Sequence, residues 1–329
     1  MPITLEEAKV GMADKVDQAV IDTFRRESML LDRLIFDDAV SPGTGGSTLT
    51  YGYQQLKTPS TAAFRQLNSE YTPNEAKRVK KTADLKIFGG SAQVDRVLQQ
   101  SSGAVDEISF QLEQKTKGAR NLFHNEVING KKATGFDGLD AMLTGASTEY
   151  NKDGLLDIST SALMDSSYQY FLDMLDEFIS GLDGKPDFLM CNSKLATKIR
   201  SAARRAGYLT RSEDAFGRQV TGYADIPILD LGMYYNGTSS VPVVGIDATK
   251  KTTDLYAVTL GLDAFHGVSM ANGSLIHTYL PDLSKPGAVK DVEVEMVAAV
   301  VLKNTLNAGV FRNIQIAEKA SEPSTPSQG

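Results

Sequence analysis

The chain has 329 residues, a formal net charge of −7 and a hydrophobic fraction of 41%. This composition is typical of a folded protein of one to three domains and argues against a disordered chain. It also argues against a DNA-binding module, which would need a basic surface to neutralise phosphates.

The first 46 residues are predicted to form an N-terminal arm. Residues 5–36 repeat apolar positions at helical spacing, and the breaker at residues 41–47 separates this arm from the rest of the chain. The apolar stripe comprises Met12, Val16, Val20, Phe24, Leu30, Leu31, Leu34 and Ile35. An amphipathic arm of this kind requires a partner surface.

Residues 47–90 predict a long hairpin with a wide polar tip. Residues 48–56 alternate as a strand should, residues 58–74 are rich in small polar residues, and residues 76–88 read as the return strand. The return strand is crowded by Lys77, Arg78, Lys80, Lys81 and Lys86. Such a strand either binds an acidic partner or is an edge strand whose lysines prevent unwanted pairing. A two-stranded hairpin is marginal alone in water, so it should lie on its own domain or on a neighbour.

A long helix is predicted over residues 104–130, within a segment that spans residues 91–130. Its apolar stripe is Ile108, Leu112, Ala119, Leu122, Phe123 and Val127. Glu113 and Lys117 form a favourable pair four residues apart, and Gly130 ends the helix.

The middle of the chain, residues 131–255, predicts a mixed α/β domain. Helices are expected at residues 161–182 and 194–206, and strands at residues 186–191, 226–231, 241–246 and 255–260. The second helix carries basic side chains that could form a solvated face, contact another subunit or touch phosphate: Lys194, Lys198, Arg200, Arg204 and Arg205, with Arg211 beyond its end.

Strands dominate the last ordered part of the chain, at residues 274–280, 289–302 and 310–316. In the second of these, Glu293 and Glu295 alternate with apolar residues before the strand becomes wholly apolar. One end should therefore be half exposed and the other buried. Residues 317–329 are rich in Ser and Pro and are predicted to be a disordered tail.

No motif for catalysis, metal or cofactor binding is present in the sequence. His124, His266 and His277 lack the spacing of a metal site, and Cys191 lies in an apolar run, where a thiol usually packs as a small hydrophobic side chain. The start of the chain shows no signal peptide and no apolar run could span a bilayer, so we expect a cytoplasmic protein without membrane contact. An enzyme with a site in the middle domain remains an alternative.

The order of these elements resembles the tailed-phage major capsid proteins of the Hong Kong 97 type. The resemblance covers residues 1–316 and includes local similarity at residues 135–139 and 186–192. It implies an α+β fold with an N-arm (1–46), an extended E-loop (47–90), a peripheral domain with a spine helix (91–130) and an axial domain (131–255). Residues 256–316 would return to the peripheral domain as strands.

The resemblance also implies a structural subunit and not an enzyme. It would assemble with itself into pentamers and hexamers of an icosahedral head shell around double-stranded DNA, which it would not bind specifically. Assembly would take place in the host bacterial cytoplasm, with a portal and a separate scaffolding protein as partners, and the product would be the virion. A cross-link of Lys57 to Asn304 or Asn307 is not expected. The candidate intersubunit residues are Arg65, Lys77, Arg78, Lys80, Lys81, Arg204 and Arg205. An encapsulin-like nanocompartment is the nearest alternative.

Overall fold

The computed structural model describes residues 28–40, 49–58, 60–97, 107–207, 209–213, 219–270, 276–282 and 284–318. Its helices are α1 (Met29–Arg33), α2 (Glu107–Asn129), α3 (Leu139–Leu143), α4 (Ser161–Ser180) and α5 (Ser193–Ala206). Its strands are β1 (Phe36–Val40), β2 (Thr50–Thr58), β3 (Lys77–Asp84), β4 (Lys86–Asp95), β5 (Glu149–Tyr150), β6 (Leu156–Asp157), β7 (Phe188–Cys191), β8 (Leu209–Glu213), β9 (Gln219–Tyr223), β10 (Ile226–Asp230), β11 (Met233–Tyr235), β12 (Ser240–Pro242), β13 (Thr252–Val258), β14 (Phe265–Met270), β15 (Ile276–Tyr279), β16 (Val289–Leu302) and β17 (Ala308–Gln315).

The long strand β16 organises a five-stranded sheet. Strand β15 pairs antiparallel with residues 293–296 of β16, and β14 pairs antiparallel with residues 298–302. On the other edge of β16, β4 pairs antiparallel with its first ten residues. Strand β1 pairs in parallel with β14. One face of β16, with Val292, Val294 and Met296, is buried, whereas Asp291 and Glu293 on the other face are exposed. This half-exposed first part and buried second part confirm the prediction from the sequence.

Helix α2 packs against this sheet and confirms the predicted long helix. Its buried residues Leu112, Ala119, Phe123 and Val127 recur on one face, because residues three and four apart lie on the same side of a helix. The expected ion pair between Glu113 and Lys117 is present at 2.5 Å.

An eight-stranded sheet holds the middle of the chain. Its order is β5-β17-β13-β7-β10-β9-β8, with β6 also pairing with β17. Helix α5 begins at Asn192, whose side chain accepts a hydrogen bond from the N–H of Leu195, and it ends at Gly207, which has a positive φ of 76°. The predicted mixture of helices and strands in this stretch is confirmed.

The last strand lies in a different sheet from the one that the sequence predicted. Strand β17 pairs antiparallel with β13 and joins the eight-stranded sheet, not the sheet that packs on α2. The expectation that residues 256–316 return together to one domain is therefore wrong for β17. Its apolar residues fit the interior of either sheet, so its pattern alone could not choose between them.

Two predicted boundaries also differ. The helical pattern was predicted as far as residue 36, but helix α1 ends at Arg33, and residues 36–40 form strand β1, which pairs with β14. The return strand of the hairpin ends at Asp84, because Leu85 is buried and residues 86–95 form β4 in the five-stranded sheet. The rest of the predicted arm, the breaker at residues 41–47 and the tail from residue 319 lie outside the described residues.

A charged network links the segment after α2 to the eight-stranded sheet. Arg312 on β17 donates to Glu149 (3.0 Å), Asp254 (2.8 Å) and Asp140 (2.5 Å), and to the hydroxyl of Thr144 (3.2 Å). The side chain of Arg312 is only 15% exposed. One guanidinium therefore holds together α3, β5, β13 and β17.

Cys191 and His124 are both buried in the fold. The thiol of Cys191 lies inside β7, and burial raises its pKa, so the prediction of a core thiol is confirmed. The ring of His124 on α2 lies 2.7 Å from the hydroxyl of Ser28, the residue that caps α1. Burial, together with the nearby positive charge of Arg120, lowers the pKa of His124 to about 4.

We expect His124 to make the protein less stable in mild acid. The folded-state pKa is below the unfolded value of 6.5, so below pH 6.5 the unfolded chain binds a proton that the folded chain does not. This contribution to stability should be fully present above pH 6.5 and be lost as the pH falls towards 4, by about 3 kcal/mol in total, since each pH unit between the two pKa values contributes ~1.4 kcal/mol. Urea unfolding at several pH values would show this as a slope that His124→Gln lacks and that the control His277→Gln retains. An unchanged slope in His124→Gln would refute the assignment.

Candidate intersubunit surfaces

Strands β2 and β3 form a hairpin that projects from the five-stranded sheet. They pair antiparallel from Thr50 opposite Asp84 to Leu56 opposite Arg78. Every described residue from 60 to 76, which connects the two strands, is exposed. The hairpin that the sequence predicted is therefore present, with most of its length outside the core.

The base of the hairpin is fixed to the sheet by side-chain contacts. The hydroxyl of Tyr51 donates to Asp37 on β1 at 2.8 Å, and its ring meets the edge of the His266 ring at 5.9 Å between centroids. Burial raises the pKa of the Tyr51 hydroxyl, against the opposing influence of Lys303. The N–H of Leu85 also donates to the carbonyl of Leu49 at 2.7 Å. These contacts set the direction in which the hairpin leaves the body.

Beyond its base, a polar cleft separates the hairpin from its own subunit. The cleft has a volume of about 550 Å³ and lies between β3 and residues 132–144. Lys80, Lys81 and Lys132 are among the residues that line it, and Lys132 approaches Asp84 at 3.7 Å. Because the walls are largely polar, little hydrophobic burial draws the hairpin onto its own chain.

The tip of the hairpin exposes large apolar side chains. Phe64 is 107% exposed, Leu67 is 89% exposed and Tyr71 is 60% exposed. The guanidinium of Arg65 lies 5.5 Å from the centroid of the Tyr71 ring and donates to the carbonyl of Ser69 at 3.2 Å. Exposed apolar side chains grouped in this way are typical of a binding surface.

Four of the five basic residues predicted on the return strand lie together on β3, and the fifth, Lys86, begins β4. Lys77, Arg78, Lys80 and Lys81 are all exposed, and Arg78 donates to the side chain of Gln54 at 3.3 Å. None of the four makes an ion pair with any residue that the structure describes. We call these four residues the basic strand.

The two predicted arginines of α5 lie elsewhere in the fold. Arg205 forms an ion pair with Asp165 on α4 at 2.6 Å and also donates to Ser161, so it joins two helices of the same chain. Arg204 is exposed at the end of α5. These arginines lie on α5, which contacts the eight-stranded sheet, whereas Arg65 and the basic strand lie on the hairpin.

A second charged surface, absent from the predicted residues, lies on the outer face of the five-stranded sheet. Asp291, Glu293 and Glu295 alternate along β16 and point away from α2, which covers the opposite face. Tyr279 on β15 and Ile87 on β4 expose apolar surface on the same face. We call Asp291, Glu293 and Glu295 the acidic row. Its alternation was visible in the sequence, but its position opposite a covering helix was not.

The described residues do not form a metal site. No group of three or more His, Cys, Asp or Glu side chains among them is placed to hold a metal ion. No helix in the described ranges is both long enough and apolar enough to cross a membrane.

Comparison with known proteins gives a consistent picture. The sequence model of the SU10 major capsid protein family matches residues 13–233, which is more than half of the chain. A search of curated protein sequences found no match.

Three solved structures illustrate the similarity of fold. The first, from the holo-SrpI encapsulin complex of Synechococcus elongatus, has a TM-score of 0.62 at 14% identity and 90% coverage of each chain. A structure from Mycobacterium phage Bobi has a TM-score of 0.55 at 12% identity, with 89% of this chain and 91% of that chain covered. The capsid of Myoviridae phage XM1 gives 0.50 at 12% identity, with 85% and 89% covered. The fold is therefore of the Hong Kong 97 type.

Proposed function

The chain belongs to the SU10 major capsid protein family, and on that premise we propose that it is the subunit from which a tailed-phage head shell assembles. The observation that carries the proposal is the hairpin, which lies outside the core of its own subunit and presents an apolar tip and four exposed cations that form no ion pair with the described residues. Such a surface becomes buried only when copies of the chain associate.

Repetition makes weak contacts sufficient for a shell. Each hairpin buries only a few apolar side chains, but contacts repeated around closed symmetry act together. We therefore propose pentamers and hexamers as the units of assembly. Within them the eight-stranded sheets would meet around the symmetry axes, and each hairpin would extend onto a neighbouring copy. The subunit acts by geometry and performs no catalysis.

The other proposed partners follow from the family and the charge. A net charge of −7 disfavours strong attraction between the shell wall and phosphate, so double-stranded DNA would be enclosed without specific binding. A portal and a separate scaffolding protein would complete the head. Assembly would take place in the cytoplasm of the host bacterium, and the protein would end in the virion.

Electron microscopy of the purified protein tests the proposal. The protein, expressed alone or with the scaffolding protein of the same phage, should form round shells or rings of five and six subunits. A uniform monomer in light scattering, across salt and protein concentrations and with scaffold present, would contradict it.

The apolar tip gives a prediction at residue level. Phe64→Ser combined with Leu67→Ser should leave thermal unfolding unchanged, because both side chains are exposed. It should reduce the yield of shells by about tenfold or more, since burying one such side chain at an interface contributes roughly 1.5–3 kcal/mol. Sedimentation of assembled against unassembled protein measures the effect. Leu155→Ser combined with Leu262→Ser removes two exposed leucines elsewhere and is the control. Equal losses in both variants would mean that assembly does not depend on the tip.

A nanocompartment shell is the second candidate, favoured by the TM-score of 0.62 to the encapsulin structure. The contents of purified particles separate the two functions. Particles isolated from cells that carry the native gene neighbourhood should contain double-stranded DNA if the protein is a phage capsid subunit. They should contain a packaged protein, and no DNA, if it is a nanocompartment shell.

A further inference from the structure

We propose that a cavity beside Glu126 binds a short-chain primary alkylammonium ion, with the ammonium group on the Glu126 carboxylate and the alkyl chain against the surrounding rings. The cavity has a volume of about 100 Å³ and lies where helix α2, the start of β4 and residues 134–136 meet. The inference goes beyond the proposed function and does not depend on it, because the site lies within a single subunit.

The walls of the cavity are mainly hydrocarbon. The apolar side chains that line it are Ile87, Phe88, Leu122, Phe123 and Phe136. The three phenylalanine rings form one group, since the centroid of the Phe123 ring lies 6.0 Å from that of Phe88 and 5.9 Å from that of Phe136. The faces of aromatic rings attract cations, and hydrocarbon walls favour an alkyl chain.

The carboxylate of Glu126 also lines the cavity, and one of its two oxygens has no partner. Oε1 accepts a hydrogen bond from the side-chain amide of Asn125 at 3.3 Å, whereas Oε2 is buried without a hydrogen bond to any described residue. Burial raises the pKa of this carboxyl group, against the opposing influence of Asn125. A buried oxygen without a partner is costly, and a ligand that donates to it would remove that cost.

The surroundings of Oε2 allow a ligand to reach it. A Cβ at residue 135 would collide with Oε2, so glycine at this position makes room for the carboxylate. The terminal bond of a glutamate side chain rotates at little cost, and this rotation turns Oε2 from Gly135 towards the cavity. Gly135 and Phe136 line both this cavity and the polar cleft beside the hairpin, so the cleft provides a route of entry.

The chemistry of the site selects one kind of cation. A calcium ion takes six to eight oxygen ligands, and no group of three or more metal-binding side chains is present among the described residues. A guanidinium prefers both oxygens of a carboxylate, but Oε1 is already occupied by Asn125. A primary ammonium is a point charge that can bind through Oε2 alone. The cavity has the volume of about three water molecules, which leaves room for a chain of about four carbons.

Lys86 is the residue that competes with a ligand for this site. It begins β4 and lines the cavity, but it forms no ion pair with Glu126 in the described structure. Because a lysine side chain is flexible, Lys86 could turn towards Oε2 in solution. The experiment must therefore separate a bound ligand from this internal pair.

Calorimetric titration of the unassembled full-length subunit with butylammonium tests the proposal. The dissociation constant should be roughly millimolar, since a ligand of about five heavy atoms cannot bind tightly. Glu126→Gln keeps the shape of the side chain and should weaken binding by about tenfold or more, because the charged partner is lost. Glu70→Gln, at an exposed site in the hairpin, should leave binding unchanged. Equal binding by the wild type and Glu126→Gln would overturn the proposal.

Two further ligands separate the site from general attraction of cations to an acidic protein. Methylammonium lacks the alkyl chain and butan-1-ol lacks the charge, so each should bind at least about tenfold more weakly than butylammonium. Equal binding of methylammonium and butylammonium would mean that the cavity is not the site, and the proposal would fail.

The Lys86→Met variant removes the competitor. It should bind butylammonium as well as the wild type or better. If only this variant bound the ligand, Lys86 would be the partner of Glu126 in solution and the proposal would be overturned. None of these titrations involves shell formation, so their failure would leave the proposed capsid function standing.

Discussion

Replacing Phe123 with alanine is expected to lower the free energy of unfolding by about 3 to 5 kcal/mol, the usual range for removing a buried phenylalanine. The ring is 0% exposed and meets three other rings, with centroid distances of 6.3 Å to Phe36, 6.0 Å to Phe88 and 5.9 Å to Phe136. These rings come from β1, β4 and the segment after α2. The substitution therefore leaves a cavity where three separate parts of the chain meet, and they cannot all collapse to fill it.

Urea unfolding of the unassembled protein measures this loss, and the same helix offers a matched control. Phe110 also lies on α2 but is 44% exposed, so Phe110→Ala should cost less than about 1 kcal/mol. Similar losses in both variants would mean that the effect arises from helix propensity or residue size and not from the aromatic cluster. A large loss in Phe123→Ala alone would support the aromatic cluster as the contact that joins these three parts of the chain.

The elements predicted well from the sequence are those whose burial follows a local period. Helix α2, helix α5 and the first part of strand β16 each expose one face and bury the other, and their sequences show this directly. Their end signals are also local, such as Asn192 and Gly207 around α5. In these segments the period alone identifies both the element and its buried side.

The pairing of distant strands could not be predicted in the same way. Strand β1 pairs with β14, which is more than two hundred residues further along the chain, and β17 lies in the eight-stranded sheet although it follows β16. The hairpin boundary depends on Leu85, which turns into the core between two strands of similar composition. In each case the choice between sheets is made by long-range packing, and the local pattern permits either result.

The two charged surfaces also differ in how far the sequence alone predicted them. The basic strand was visible because four cations within five residues have few acidic neighbours in the sequence. The acidic row required knowledge that α2 covers the other face of β16, since alternation alone does not say which face is open. The ion pair between Arg205 and Asp165 likewise depends on the packing of α4 against α5.

Arg312→Ala is expected to be the second most damaging substitution, with a loss of about 3 kcal/mol in the free energy of unfolding. Removing one partner from a buried ion pair typically costs 3–5 kcal/mol, because the remaining charges are left unpaired. The lower end applies here because Asp140 and Asp254 retain 41% and 28% exposure, whereas Glu149 is only 6% exposed. Although burial opposes the charge on Arg312, its hydrogen bonds to Asp140 and Asp254 raise its pKa, so the guanidinium stays charged.

Two further variants separate the network from a general effect of losing an arginine. Arg312→Lys keeps the charge but cannot reach all three carboxylates with a planar fork, so it should recover only part of the loss. Arg204→Ala removes an exposed arginine and should change stability by less than about 0.5 kcal/mol. Urea unfolding of the unassembled subunit would rank the variants. If Arg312→Ala were as stable as Arg204→Ala, the junction of α3, β5, β13 and β17 would be held by apolar packing alone, and the four polar groups around the guanidinium would be adequately solvated without it.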